Sequence, residues 1–183
     1  MKAFEAIRRN LAYEMSVPAS RERVFPLLCP AREYDWLPGW RCRLVYSATG
    51  RAEPGCVFQT DLASGSEATW LVTAYEPPQR IQFAAVKAGS HSWILEITLS
   101  SLKAACRLTW RHTFTALTTA GNEFLTQYTD EQHRLRLQQI EQCLVYFLQT
   151  GRCVPVASRE NKTGVRSTPR RARAPAQKTK RCG

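Results

Sequence analysis

The chain has 183 residues, 44% of them hydrophobic, and 26 Lys and Arg against 15 Asp and Glu, a net charge of +11. That length suits a single domain able to bury a core without metal or disulfide support. With no run of about 18 apolar residues, it offers no candidate membrane span.

The start, "MKAFEAIRRNLAYEM", has no apolar stretch followed by a small-residue cleavage site, so a cytoplasmic protein is expected. "LAYEMSV" then alternates, placing Leu11, Tyr13, Met15 and Val17 on one side of a half-buried strand. Pro18-Ala19-Ser20 opens a short helix, with Ser20 as N-cap, Glu22 in the first turn, and Val24, Phe25 and Leu28 as its apolar face. Pro26 removes a backbone donor and keeps this helix short or bent. A second short helix is expected over residues 31–36.

Next comes "EYDWLPGWRC" (33–42), two tryptophans around a Pro-Gly turn with Glu33 and Asp35 just ahead. Two residues apart, the carboxylates point to different helix faces, so a rim position is expected for them rather than acid/base work. Strands are expected near 41–48, 56–62, 67–76, 80–88, 91–100 and 105–115, separated by Gly, Pro and Ser breaks. In "HSWILEITL" one face carries His91, Trp93, Leu95, Ile97 and Leu99; in "CRLTWRHTF" it carries Cys106, Leu108, Trp110, His112 and Phe114. One packed and one wet face indicate an antiparallel sheet.

A single long helix is expected from Thr118 to Thr150, closed by Gly151. Phe124, Leu125, Tyr128 and Leu135 form an early apolar stripe, and Ile140, Leu144, Phe147 and Leu148 a later, rotated one. The polar middle leaves two readings open: the helix bridges a hollow, or it has a solvated face and a bend. From 155 onward the composition is basic; residues 157–183 hold nine Lys and Arg and one acid, leaving only +3 for the rest. So few large apolar residues predict a disordered tail. Its charge suits weak nonspecific contact with nucleic acid or anionic lipid, or simple solubilisation. The seven cysteines are odd in number with no C-x-x-C spacing, which fits free thiols, and the sparse histidines give no metal site. No cofactor motif is present.

Strand, two short helices, six antiparallel strands and a long helix make an α+β order. It resembles the helix-grip proteins of the SRPBCC superfamily, which includes START-like, Bet v 1-like and polyketide cyclase members. The residues carrying the resemblance are "VPASRERVFPLLCPAREYDWLPGW" (17–40), "GCVF" (55–58), "TWLVTAYEPPQRIQF" (69–83) and "TALTTAGNEFL" (115–125). It implies a curved seven-stranded antiparallel sheet wrapped around the C-terminal helix over residues 1–154, with a cavity between them. Glu53 resembles an acidic position of related sequences, with a capping or rim role.

In such a cavity Trp36 and Trp40 either close the mouth or plug the core where the short helices meet the sheet. Pairing Leu99 with Cys106 sets Trp93 opposite His112 and His91 opposite Phe114. A turn at Pro77-Pro78 pairs Val72 with Phe83 and brings Trp70 and Phe83 inward, and Phe58 joins them. The expected ligand-lining set is therefore Trp36, Trp40, Phe58, Trp70, Phe83, His91, Trp93, Trp110, His112, Phe114, Phe124 and Tyr128. The same aromatics also suit plain core packing. His91 and His112, placed diagonally on one strand pair, are the catalytic candidates; the alternative is a histidine satisfied by Ser, Thr or backbone. Three functions follow: binding or transport of a hydrophobic small molecule without catalysis, a polyketide cyclase-like enzyme using those histidines, or an interaction protein resembling the Hsp90 activators.

Overall fold

The computed structural model describes residues 4–61 and 67–155. Apart from Pro155, the expected basic tail lies outside them, as does Cys182. Seven strands form one antiparallel sheet: β1 (Arg8–Val17), β2 (Cys42–Tyr46), β3 (Val57–Asp61), β4 (Glu67–Glu76), β5 (Arg80–Lys87), β6 (His91–Ser101) and β7 (Cys106–Ala116). Their spatial order is β1-β7-β6-β5-β4-β3-β2, so the chain's first two strands are opposite edges of the sheet. Helix α1 (Arg21–Val24) and 3-10 turns at Phe25–Leu28 and Glu33–Asp35 link those edges, and α2 (Thr119–Gln127) and α3 (Asp130–Thr150) follow the sheet. The α+β helix-grip architecture is the observed one.

Alternation decides which face is buried. Met15, Val17, Val72, Ile81, Phe83, Ile97, Leu99, Leu108 and Trp110 are all at most 5% exposed, while their immediate neighbours along the strands are not buried. The expected pairing of Val72 with Phe83 is present. The β6–β7 hairpin differs: Leu99 pairs with Leu108, Trp93 with Phe114 and Leu95 with His112, two residues from the expected register. The hairpin loop keeps four residues but lies one position beyond the expected Ser101–Ala104, since Ser101 itself pairs with Cys106. A shift of two keeps every side chain on its face. Cys42 pairs with Thr60, and an irregularity after Leu44 sets Tyr46 against Val57. All six described cysteines are free thiols.

Ser20 occupies the N-cap of α1 with its carbonyl accepting from Arg23 and Val24, but its side chain makes no cap bond. The second short helix is reduced to the 3-10 turn. Glu53 accepts hydrogen bonds from the Ser47 hydroxyl and the Ala48 and Thr49 amides, so it caps a turn. Burial alone would raise its pKa, but these bonds outweigh it and lower the carboxyl below its usual range.

The single helix expected over 118–150 is two. Tyr128 ends α2 in extended conformation, and Thr129 starts α3 with a capping box: its side chain accepts from the Gln132 amide while the Gln132 side chain accepts from the Thr129 amide. Two donors that a continuous helix would have used internally are satisfied at this break. The Arg9 guanidinium reinforces it, donating to the carbonyls of Leu125 and Tyr128 and pairing with Asp130. The new helix direction places His133, Leu137 and Leu144 in the buried stripe and leaves Leu135, expected inside, 46% exposed. Tyr13 on β1 donates to Glu141 at 2.6 Å, tying α3 to the sheet edge.

Candidate functional site

A cavity of about 1040 Å³ lies between the concave face of the sheet and α2–α3. All twelve side chains of the expected lining set border it. Register explains the convergence. Phe58, Trp70, Ala85, Trp93 and Phe114 succeed one another across β3, β4, β5, β6 and β7, and one step along the strands Val72, Phe83, Leu95 and His112 do the same. The rings pack as a continuous wall. Phe58 stacks on Trp70 at 5.5 Å, Trp70 meets Trp93 edge-on at 4.9 Å, and Phe124 stacks on His91 at 4.5 Å. Edge-on and stacked contacts at these spacings are favourable beyond the area they bury.

The two tryptophans of the opening turn have separate roles. Trp36 is fully buried and donates from Nε1 to the Leu27 carbonyl at 2.9 Å, so it plugs the end where the short helices meet the sheet. Trp40 is half-buried and donates to the Pro30 carbonyl at 2.9 Å. Both border the cavity. Just ahead of them, the Tyr34 hydroxyl bonds the backbone of Cys42 and holds the 3-10 turn against the β2 edge.

The histidines are not arranged as expected. His91 pairs with Ala116 and His112 with Leu95, so the Trp93–Phe114 pair separates them. His91 Nδ1 is satisfied by the Ser90 hydroxyl at 2.8 Å, the outcome foreseen for a structural histidine. His112 faces instead the third histidine, His133 of α3, at a ring distance of 4.8 Å. His133 Nδ1 in turn lies 3.1 Å from the Tyr128 hydroxyl. Burial, then the nearby His133 and Arg136, push the His112 pKa down to about 3, and burial also lowers those of His91 and His133. At neutral pH these imidazoles are uncharged. The same burial raises the Tyr128 hydroxyl.

Glu33, expected at the rim, is among the residues that border the cavity. It is half-buried, its carboxyl has no hydrogen-bond partner among the described residues, and burial raises its pKa to about 8. Arg136 and Leu137 of α3 also border the cavity. His133, Arg136 and Glu33 were missed as site residues. The capping signal Thr129-Asp130-Glu131-Gln132 could have found the first, because restarting the helix at Asp130 rotates His133 and Leu137 inward. No group of three His, Cys, Asp or Glu among the described residues could hold a metal ion.

This architecture, an open antiparallel sheet gripping a C-terminal helix over a cavity, is an α+β helix-grip fold. Among solved structures, DynU16, from the dynemicin biosynthetic locus, matches 78% of this chain at TM-score 0.58 and 20% identity, and the chain spans about half (48%) of its length. A point mutant of Thalictrum flavum norcoclaurine synthase, in complex with a transition-state analogue, matches 80% of this chain and 98% of its own at TM-score 0.60 and 12% identity. A Rhizobium leguminosarum protein matches 79% and 97% at TM-score 0.56 and 16% identity. Identities this low show the fold alone. No protein-family model and no curated protein matches the chain. Among the described residues no helix is long and apolar enough to cross a membrane.

Proposed function

We propose that residues 1–154 form one binding domain that holds a hydrophobic or aromatic small molecule between sheet and C-terminal helix, with transport as a natural extension. The observation carrying this reading is the cavity itself: about 1040 Å³, with ten Trp, Phe and Tyr side chains among those bordering it. A packed core of this size leaves few voids larger than a water molecule, whereas ligand sites span about 300–1,000 Å³ with apolar walls and a few polar groups. An interaction protein working only through its surface has no need of such a space.

The enzymatic alternative has support from similar folds, one a norcoclaurine synthase and one encoded in a biosynthetic locus. It does not favour the expected histidines. A base with a pKa near 3, as at His112, accepts a proton poorly at neutral pH. Burial raises the Glu33 carboxyl at the cavity to about 8, so a turnover reading moves to that residue. The basic segment 157–183 is assigned weak, nonspecific contact with nucleic acid or anionic lipid on its charge alone.

Native mass spectrometry of the chain purified from its own host tests the binding reading. An adduct of an apolar small molecule, lost on denaturation, is the expected result. Consumption of that molecule by the parent chain but not by Glu33→Gln would replace binding with turnover.

A further inference from the structure

The two edges of the sheet are finished differently. β2 is five residues long, its pairing is interrupted after Leu44, and the Tyr34 hydroxyl occupies both main-chain groups of Cys42. Such devices keep an edge from recruiting a further strand. β1 has none of them. It pairs with β7 over all ten residues without a break. The Ile7 carbonyl accepts from the Ala116 amide, which fixes the alternation: Ile7 and every second residue after it turn their main-chain groups toward β7. Those of Arg8, Asn10, Ala12, Glu14 and Ser16 therefore point away from the sheet, and all five residues are exposed. Among the described residues, none of these outward main-chain groups has a partner.

The charges along this edge are symmetric about Leu11, with Arg8 three residues before it and Glu14 three after. Neither forms an ion pair among the described residues. An antiparallel copy of β1 centred on Leu11 sets Arg8 opposite Glu14 at both ends, with Asn10 opposite Ala12 between them. Outward-facing residues then meet outward-facing residues, and four such pairs exchange about eight main-chain hydrogen bonds. Any other centre loses both ion pairs, and centring on Arg8 or Glu14 opposes like charges. The same register carries Phe4, 52% exposed, to the exposed Pro18 of the other copy. On the concave side Arg9 and Tyr13 are drawn toward their own helices by Asp130 and Glu141, which leaves Leu11 to meet Leu11. A chain of net charge +11 needs such local compensation to approach its own copy.

We propose that β1 is an interface strand: two copies of this chain pair β1 with β1, antiparallel about Leu11, and join their sheets across a two-fold axis. One strand from each copy makes a small interface, so the association is weak and reversible. It does not depend on what the cavity holds.

Sedimentation equilibrium of the full chain from about 10 μM to about 1 mM should show a monomer–dimer equilibrium. Amide exchange at Asn10, Ala12 and Glu14 should slow as concentration rises. Glu14→Arg and Arg8→Glu should each weaken association about tenfold, since each opposes like charges at both ends. Mixed in equal amounts, the two variants should associate again, because two basic positions then face two acidic ones. Thermal unfolding checks that both variants fold; if either does not, the concentration dependence of exchange in the unaltered chain decides. A monomer at every concentration overturns the proposal, as does a dimer that neither variant weakens. Edge amides already protected in the dilute monomer also overturn it, because another part of the same chain then covers β1. None of these outcomes touches the cavity-binding reading.

Discussion

Glu33 brings an unpartnered carboxyl to the cavity wall, and its titration sets a stability slope of definite sign. Its pKa is about 8 in the folded chain against 4.5 as the ordinary value. Between those limits the folded state holds the extra proton, so stability falls as pH rises from about 4.5 to 8. His112 works the other way. Its folded pKa of about 3 lies below the ordinary 6.5, so its contribution is complete above pH 6.5 and is lost as pH falls toward 3. The two slopes oppose each other between roughly pH 4.5 and 6.5, and Glu33 dominates above that window. Glu33→Gln should therefore leave stability at pH 4 nearly unchanged and raise it at pH 8.5. A gain of about 2–4 kcal/mol is expected, discounted for the partial exposure of the side chain. Urea denaturation at the two pH values measures it, and an equal effect at both would mean that the carboxyl is not desolvated. Two tryptophans separate plug from wall in the same way. Trp36, fully buried and hydrogen-bonded, should cost the roughly 3–5 kcal/mol of a packed aromatic on truncation to Ala. Trp93 borders the same cavity but keeps 7% of its surface exposed where Trp36 keeps none, so Trp93→Ala should cost clearly less. Equal losses in thermal unfolding would show that Trp93 is packed on every side.

At the scale of elements, the break between α2 and α3 decides the site's polar composition. Thr129 caps α3 through its side chain and holds the reciprocal bond with Gln132. Thr129→Ala should cost about 1 kcal/mol and loosen the start of α3, where His133 stands. Urea midpoints report the stability, and faster amide exchange over the first turn of α3 reports the fraying; unchanged exchange there would show that Arg9 alone holds the junction. The capping box was present in the sequence but was hidden inside a polar stretch that helix periodicity bridges without penalty. That is why His133 stayed out of the expected site while His91 and His112 entered it. The strands were far more legible. Alternation assigns a face to each strand residue independently, and a two-residue slip in the β6–β7 hairpin moved partners along the sheet without turning any side chain over. The whole aromatic lining was therefore legible even where the register was not. Glu33 stayed out of the expected lining set for a different reason. Spacing along a short turn does not say which of its side chains reach a cavity assembled from β3 to β7, α2 and α3.

For the molecule as a whole, a sheet curved around a large apolar space trades packing for capacity. The cavity of about 1040 Å³ forgoes dispersion contacts that a filled core would make, so a ligand that fills it restores them only in the folded state. Linkage then fixes the size of the effect. A ligand at 100 times its Kd that binds only the folded chain adds about 2.7 kcal/mol, or a Tm increase of about 5–10 °C for a domain of this size. Pressure should separate this from nonspecific surface binding. Unfolding volumes become more negative as internal void volume grows, so the free chain should unfold at unusually low pressure. Saturation with 9-fluorenone should move the midpoint upward and make the unfolding volume less negative. A ligand adhering to the outer face would raise Tm while leaving that volume unchanged. Tryptophan emission recorded as pressure rises, with and without fluorenone, makes the distinction. An unchanged unfolding volume at saturating ligand would place the binding outside the sheet's concave face.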